Sequence, residues 1–191
     1  MFVDPSDFNF SDTLADHWLD IKREFDALPS DVLFPWHDRH LYDDNGWEAF
    51  GLYAFGRRIS ANCELCPETA RLIEEVPGMQ TAGFSRLGSH VHIRPHTGLA
   101  RGVLRCHLGL HVPEGCELRV GDETRSWREG ECLVFDDTAE HEAWNHSETA
   151  RVVLLLDFKR DAASYNLKYS LLDWVDRTRF RIVQRLSGRP G

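Results

Sequence analysis

From Gln80 to Phe158 the chain is interrupted by turn signals at intervals of roughly ten residues: "LGS", "TGLARG", "VPEG", "VGDE", "REGE" and "WNHSE". The segments between them are too short for helices with a buried face, and several alternate apolar with polar residues. That rhythm predicts an all-β sandwich or barrel. Upstream the texture differs. Ser11 is the expected N-cap of a helix running to about Leu28, with Leu14, Trp18, Ile21, Phe25 and Leu28 forming one apolar stripe. "EAFGLYAFG" reads as a strand and "PETARLIEEV" as a short helix opened by proline. Past Phe158 the pattern turns helical again. The expectation is a single domain over 1–191, with a β core at about 80–158, a helical N-terminal part at 1–79 and a helical C-terminal extension at 159–191.

The strand "VLRCHLGLHV" carries the first chemical signal. With a period of two, Leu104, Cys106, Leu108, Leu110 and Val112 share one face, and Arg105, His107, Gly109 and His111 share the other. Inside a small barrel that second face is interior, where an arginine must meet an anion. Arg151 opens the otherwise apolar run "RVVLLLDF" and can grip a carboxylate with two parallel hydrogen bonds. "RPHTG" looks like half of an iron site: His96 is followed two residues later by Gly98, where the usual carboxylate ligand would stand. His141 follows His96 by 45 residues, and Arg151 lies ten beyond that. Iron, a chelating keto acid and an arginine clamp would need those groups around a barrel mouth.

The run from "FSRLGSHVHIRPHTG" through "RGVLRCHLGLHVPEGC" and "CLVFDDTAEHEAW" to "RVVLLLDF" resembles the aspartyl/asparaginyl β-hydroxylases, and the likeness extends from about Trp36 to Phe158. It implies a mainly β, double-stranded β-helix fold, jelly-roll or cupin-like, with flanking N- and C-terminal helices. It implies an Fe(II)- and 2-oxoglutarate-dependent dioxygenase using O2, with His96 and His141 as iron ligands. Ser85, Arg105, His107 and Arg151 then become 2-oxoglutarate contacts. The family shares the missing acid, as at Gly98. No transmembrane segment or helical-repeat region accompanies the motifs, so the protein-domain substrates of the animal members are not carried over. "TGLARG" stands where those members have a different loop.

Net charge is −9, which argues against nucleic acid as the main partner. From Lys159 onward eight basic residues face three aspartates, so this +5 tail follows a stretch of −14 and could dock an acidic carrier. The expected substrate is an aspartyl, asparaginyl or related amino-acid unit, free or carrier-tethered, hydroxylated at its β-carbon. Five scattered cysteines and a start without a basic-then-apolar leader point to the cytoplasm, and no run suits a membrane. Cys63 and Cys66 have redox or zinc spacing, but no second pair matches them, and they are read as structural. Two rivals remain at this point. Gly98 leaves room for chloride and hence halogenation, and a non-catalytic cupin-like sensor could bind metal through His90, His92 and His141.

Overall fold

A computed structural model of the chain describes residues 1–43, 46–98 and 102–160. The C-terminal extension, apart from Lys159 and Arg160, and residues 99–101 of "TGLARG" lie outside the described residues. In chain order the elements are β1 (Phe2–Val3), α1 (Asn9–Asp16), α2 (Trp18–Asp26), β2 (Phe34–Pro35), β3 (Trp47–Ala54), β4 (Arg57–Arg58), α3 (Ser60–Cys63) and α4 (Pro67–Glu74). There follow β5 (Met79–Leu87), β6 (His92–His96), β7 (Val103–His111), β8 (Cys116–Val120), β9 (Glu123–Ser126), β10 (Cys132–Phe135), β11 (His141–Asn145) and β12 (Arg151–Lys159).

The strands form two antiparallel sheets. The larger runs β1-β10-β7-β12-β5-β3-β2, with β4 beside β3, and the smaller runs β6-β11-β8-β9. The apolar rows predicted from the alternation build two separate cores. Leu104, Cys106, Leu108 and Leu110 pack with Leu154, Leu156, Leu14 and Ile21 beneath the helices. Leu87, Val153, Leu155 and Phe135 of the larger sheet meet Ile93, Leu118 and Ala143 of the smaller one. The site residues open into this second, intersheet layer. The all-β sandwich expected from the turn spacing, and the mainly β jelly-roll that the resemblance implies, agree with this fold. The N-terminal part is not only helical, however: β1, β2, β3 and β4 all join the larger sheet, so the sheet extends past the 80–158 core.

Three local expectations are corrected. The helix expected from Ser11 to Leu28 is two helices, α1 and α2, with the break at His17. Ser11 does not cap. The helix begins earlier, so Ser11 is already inside it, and its hydroxyl donates to the Pro5 and Phe8 carbonyls at 2.6 and 2.8 Å. His111 leaves the row of Arg105, His107 and Gly109. Val152 pairs with His111 while Val153 pairs with Gly109, a β-bulge that inserts Leu110 as an extra residue and reverses parity beyond it. His111 is consequently turned to α2, bonded to Asp26 at 2.6 Å and to Lys22 at 2.7 Å, and Val112 joins the intersheet layer.

Candidate active site

His96 ends β6 and His141 begins β11, and the two are direct partners across the smaller sheet. Their ring centroids are 4.1 Å apart. Each Nδ1 sits against a backbone carbonyl two residues upstream, Arg94 O at 2.8 Å for His96 and Ala139 O at 2.9 Å for His141. A carbonyl accepts only, so each Nδ1 carries the hydrogen and each Nε2 keeps its lone pair for a metal. Burial keeps both imidazoles neutral, holding His96 below the ordinary range and pulling His141 down to about 3. This donor set fits iron(II).

Gly98 explains itself in space. A Cβ built there would lie 2.2 Å from Asp137 Oδ2, so the Asp137 carboxylate occupies the volume of the absent side chain. Gly98 N also donates to Asp137 O at 2.7 Å. Burial raises the Asp137 carboxyl to about 6. Asp137 is a candidate functional residue that the sequence reading missed. The available signal was the acidic pair of "FDDTAEH", upstream of His141 in a chain lacking the usual acid. Among the described residues no three His, Cys, Asp or Glu side chains converge in a way that could hold a metal, which leaves the two histidines as the candidate ligand pair.

The 2-oxoglutarate candidates line the inner face of the larger sheet. Ser85 pairs with Val153, His107 with Leu155 and Arg105 with Asp157, while Arg151 stands at the opposite end of β12. As expected, Arg105 and His107 point together. Arg105 does not wait for an exogenous anion, though: it donates through Nε and Nη2 to the two Asp157 oxygens at 2.7 and 2.9 Å and lies 3.2 Å from Asp137. Arg151 is the reverse case. It is 1% exposed, and neither its Nε nor its Nη1 has a partner. Burial pulls its guanidinium down to about 10, so it remains charged at neutral pH. His107 Nε2 and Asp137 Oδ1 are also buried without partners. Unpartnered buried polar groups are rare in folded proteins, and a bound ligand would satisfy these.

Two indoles contact the candidate residues. Trp47 Nε1 donates to Ser85 Oγ at 3.0 Å, with Trp36 stacked on Trp47 at 4.5 Å and 13°. Trp127 Nε1 lies 3.3 Å from His107 Nδ1, and the Arg151 guanidinium lies over the Trp127 ring at 4.6 Å. Neither contact was legible in the sequence: both indoles lie within the stretch that carries the resemblance, but nothing in their spacing shows what they approach.

The cupin-like trio is not assembled. His92 stacks on Trp144 and bonds to Glu142 at 2.8 Å, and His90 bonds to Glu148 at 3.1 Å. Glu142 and Trp144 alternate with His141 along β11, so they occupy the opposite face from it. The Cys63–Cys66 pair is buried in the helix-side core, with the Cys66 thiol pushed up to about 12 by burial.

Residues 15–161 match the family model described as Aspartyl/Asparaginyl beta-hydroxylase. The ornithine lipid ester-linked acyl 2-hydroxylase of Rhizobium tropici is 43% identical over 124 residues, covering 63% of this chain and 44% of that protein. The human aspartyl/asparaginyl beta-hydroxylase is 38% identical over 133 residues, covering 65% of this chain and 17% of that protein. The chain thus spans less than half the length of these curated relatives. Among solved structures, a 2OG-Fe(II) oxygenase family oxidoreductase from Burkholderia pseudomallei superposes with a TM-score of 0.55 at 14% identity, covering 77% of this chain and 80% of that one, a likeness of fold. No helix among the described residues is long and apolar enough to cross a membrane.

Proposed function

The chain belongs to the aspartyl/asparaginyl β-hydroxylase family, and from that premise we propose that it is an Fe(II)- and 2-oxoglutarate-dependent dioxygenase that hydroxylates an unactivated C–H bond. The observation that carries the proposal is the buried Arg151 guanidinium with Nε and Nη1 unpartnered, in the same intersheet layer as two neutral imidazoles with free Nε2 lone pairs. A buried cation without an anion is costly, and a dicarboxylate would remove the cost. His96 and His141 would hold the iron through Nε2. Arg151 and Ser85 would bind the far carboxylate of 2-oxoglutarate, and His107 would donate to the cosubstrate from Nε2. Arg105, fixed by Asp157 and Asp137, would supply positive potential at the metal end. When bound, iron, 2-oxoglutarate and O2 supply the oxidant for hydroxylation, with succinate and carbon dioxide as co-products. Val153, Leu155 and Phe135 would keep water from the layer where that chemistry takes place.

Asp137 favours hydroxylation over halogenation, because a carboxylate in the space beside Gly98 repels the chloride that a halogenase would place there. Product mass with and without chloride distinguishes the two. For the substrate, the proposal is an aspartyl, asparaginyl or related amino-acid unit hydroxylated at its β-carbon, free or tethered to an acidic carrier docked on the +5 tail. The Rhizobium relative supports a second reading, the acyl chain of an amino-acid lipid. Five free cysteines, all buried, suit the reducing cytoplasm.

The test is anaerobic binding of iron(II) and 2-oxoglutarate, then succinate release across free amino acids, carrier-bound amino acids and aminoacyl lipids. Iron bound without 2-oxoglutarate affinity, or with no succinate above background for every substrate, would sink the proposal. Retained iron binding in His96→Ala would remove the ligand assignment, and unchanged turnover after charge reversal at Arg177, Arg179 and Arg181 would remove the carrier.

A further inference from the structure

Trp127 is 3% exposed and makes two contacts of different kinds. Its Nε1–H meets His107 Nδ1 at 3.3 Å. An indole nitrogen can only donate, so Nδ1 must present a lone pair and cannot carry a hydrogen. His107 is buried between the Arg151 and Arg105 charges, and burial above all keeps it neutral. Its one ring hydrogen therefore sits on Nε2, the atom that is buried and unpartnered. Meanwhile the face of the same indole carries the Arg151 guanidinium at 4.6 Å, a cation–π contact that uses no hydrogen-bond donor. Arg151 is thereby held in place with Nε and Nη1 still available.

The placement of Trp127 is itself built. The segment after it crosses β7 at Gly109: Gly109 N donates to Glu131 O at 3.1 Å, and Gly130 N donates to Gly109 O at 2.9 Å. A Cβ on Gly109 would stand 2.2 Å from Arg128 O, so only glycine lets this backbone pass. That accounts for the residue in the row of Arg105 and His107 that has no side chain.

We infer that Trp127 is a positioning residue for the cosubstrate: its N–H fixes His107 in the Nε2–H form and its ring carries Arg151, so the pocket offers three oriented donors to a dicarboxylate. The inference rests on 2-oxoglutarate being the cosubstrate. Two measurements test it. Nitrogen-15 NMR of the metal-free wild-type protein reads the His107 tautomer directly, its signal identified by loss in His107→Gln. Nε2 protonated with Nδ1 bare is the expected result; the opposite tautomer overturns the inference, whatever any variant does. Trp127→Phe keeps a ring beneath Arg151 but deletes the N–H. It should weaken anaerobic 2-oxoglutarate binding about tenfold, the worth of one hydrogen bond, and raise KM for 2-oxoglutarate with kcat little changed. Metal affinity at His96 and His141 should not move. Unchanged 2-oxoglutarate affinity in the variant, or loss of metal and cosubstrate binding together, refutes the positioning role. If the wild type binds no 2-oxoglutarate, the proposed function falls first and this role with it, whereas failure of Trp127→Phe alone leaves the proposed function standing.

Discussion

At the scale of single residues, Arg151 sets function against stability. A fully buried guanidinium with two unpartnered nitrogens destabilises the ligand-free protein. Arg151→Met should therefore stabilise it by about 1–3 kcal/mol in urea unfolding while abolishing 2-oxoglutarate binding. In the wild type, saturating cosubstrate should instead recover stability, about 2.7 kcal/mol at a hundredfold excess over Kd. A less stable Arg151→Met protein would show that the charge is satisfied in some other way. The histidines predict a pH dependence. The folded pKa of His107 is held well below the ordinary value of 6.5 and that of His141 is lowered to about 3. The unfolded chain binds those protons and the folded one does not, so their contribution is present above pH 6.5 and is lost as pH falls. Below 6.5 these two groups should cost the metal-free protein up to about 2.7 kcal/mol per pH unit. Urea titrations at pH 7 and 5, in the wild type and in His107→Gln, would measure the slope; an identical slope in both proteins would exclude His107 as a source.

At the scale of elements, the crossing of β7 by the Trp127–Gly130 segment depends on Gly109. Gly109→Ala puts a methyl group against a backbone carbonyl, which cannot swing aside as a side chain would. Unfolding stability should drop by about 1–3 kcal/mol, and 2-oxoglutarate affinity should fall with it because Trp127 is displaced. Normal cosubstrate binding in the Gly109→Ala protein would show the crossing to be dispensable. The same strand shows what sequence can and cannot disclose. The period of two correctly sorted Leu104 to Leu110 from Arg105 and His107, since alternation is intrinsic to a pleated strand. It failed at His111, because a bulge adds a residue without altering composition. The continuous stripe from Leu14 to Leu28 likewise hid the break at His17, because both helices bury the same side. That Arg105 and His107 point together was legible from alternation, whereas the pairing of His96 with His141 depends on which strands become neighbours. Asp137 and Trp127 were not legible, as their roles come from through-space approach to Gly98 and His107.

For the molecule as a whole, the division into two cores places four of the five thiols in one layer and the candidate site residues in the other. Cys63, Cys66, Cys106 and Cys132 lie in the helix-side layer, and Cys116 lies in the intersheet layer, 1% exposed. Burial raises the thiols of Cys63, Cys66 and Cys116, Cys66 to about 12, and the hydrogen bond with Cys132 together with burial raises that of Cys106. The thiolate is the reactive form and all five thiols are buried, so iodoacetamide at pH 8 should leave them unmodified until denaturant is added. Rapid labelling of Cys63 or Cys66 in the folded protein would reopen a redox role for that pair. The stack of Trp36 on Trp47 has a consequence of another kind. Two indoles nearly parallel at 4.5 Å share their excited states, so the folded chain should display a split circular-dichroism band that neither ring produces alone. Because Trp47 also donates to Ser85, that band would serve as an optical gauge beside a proposed cosubstrate contact, readable without dye or label.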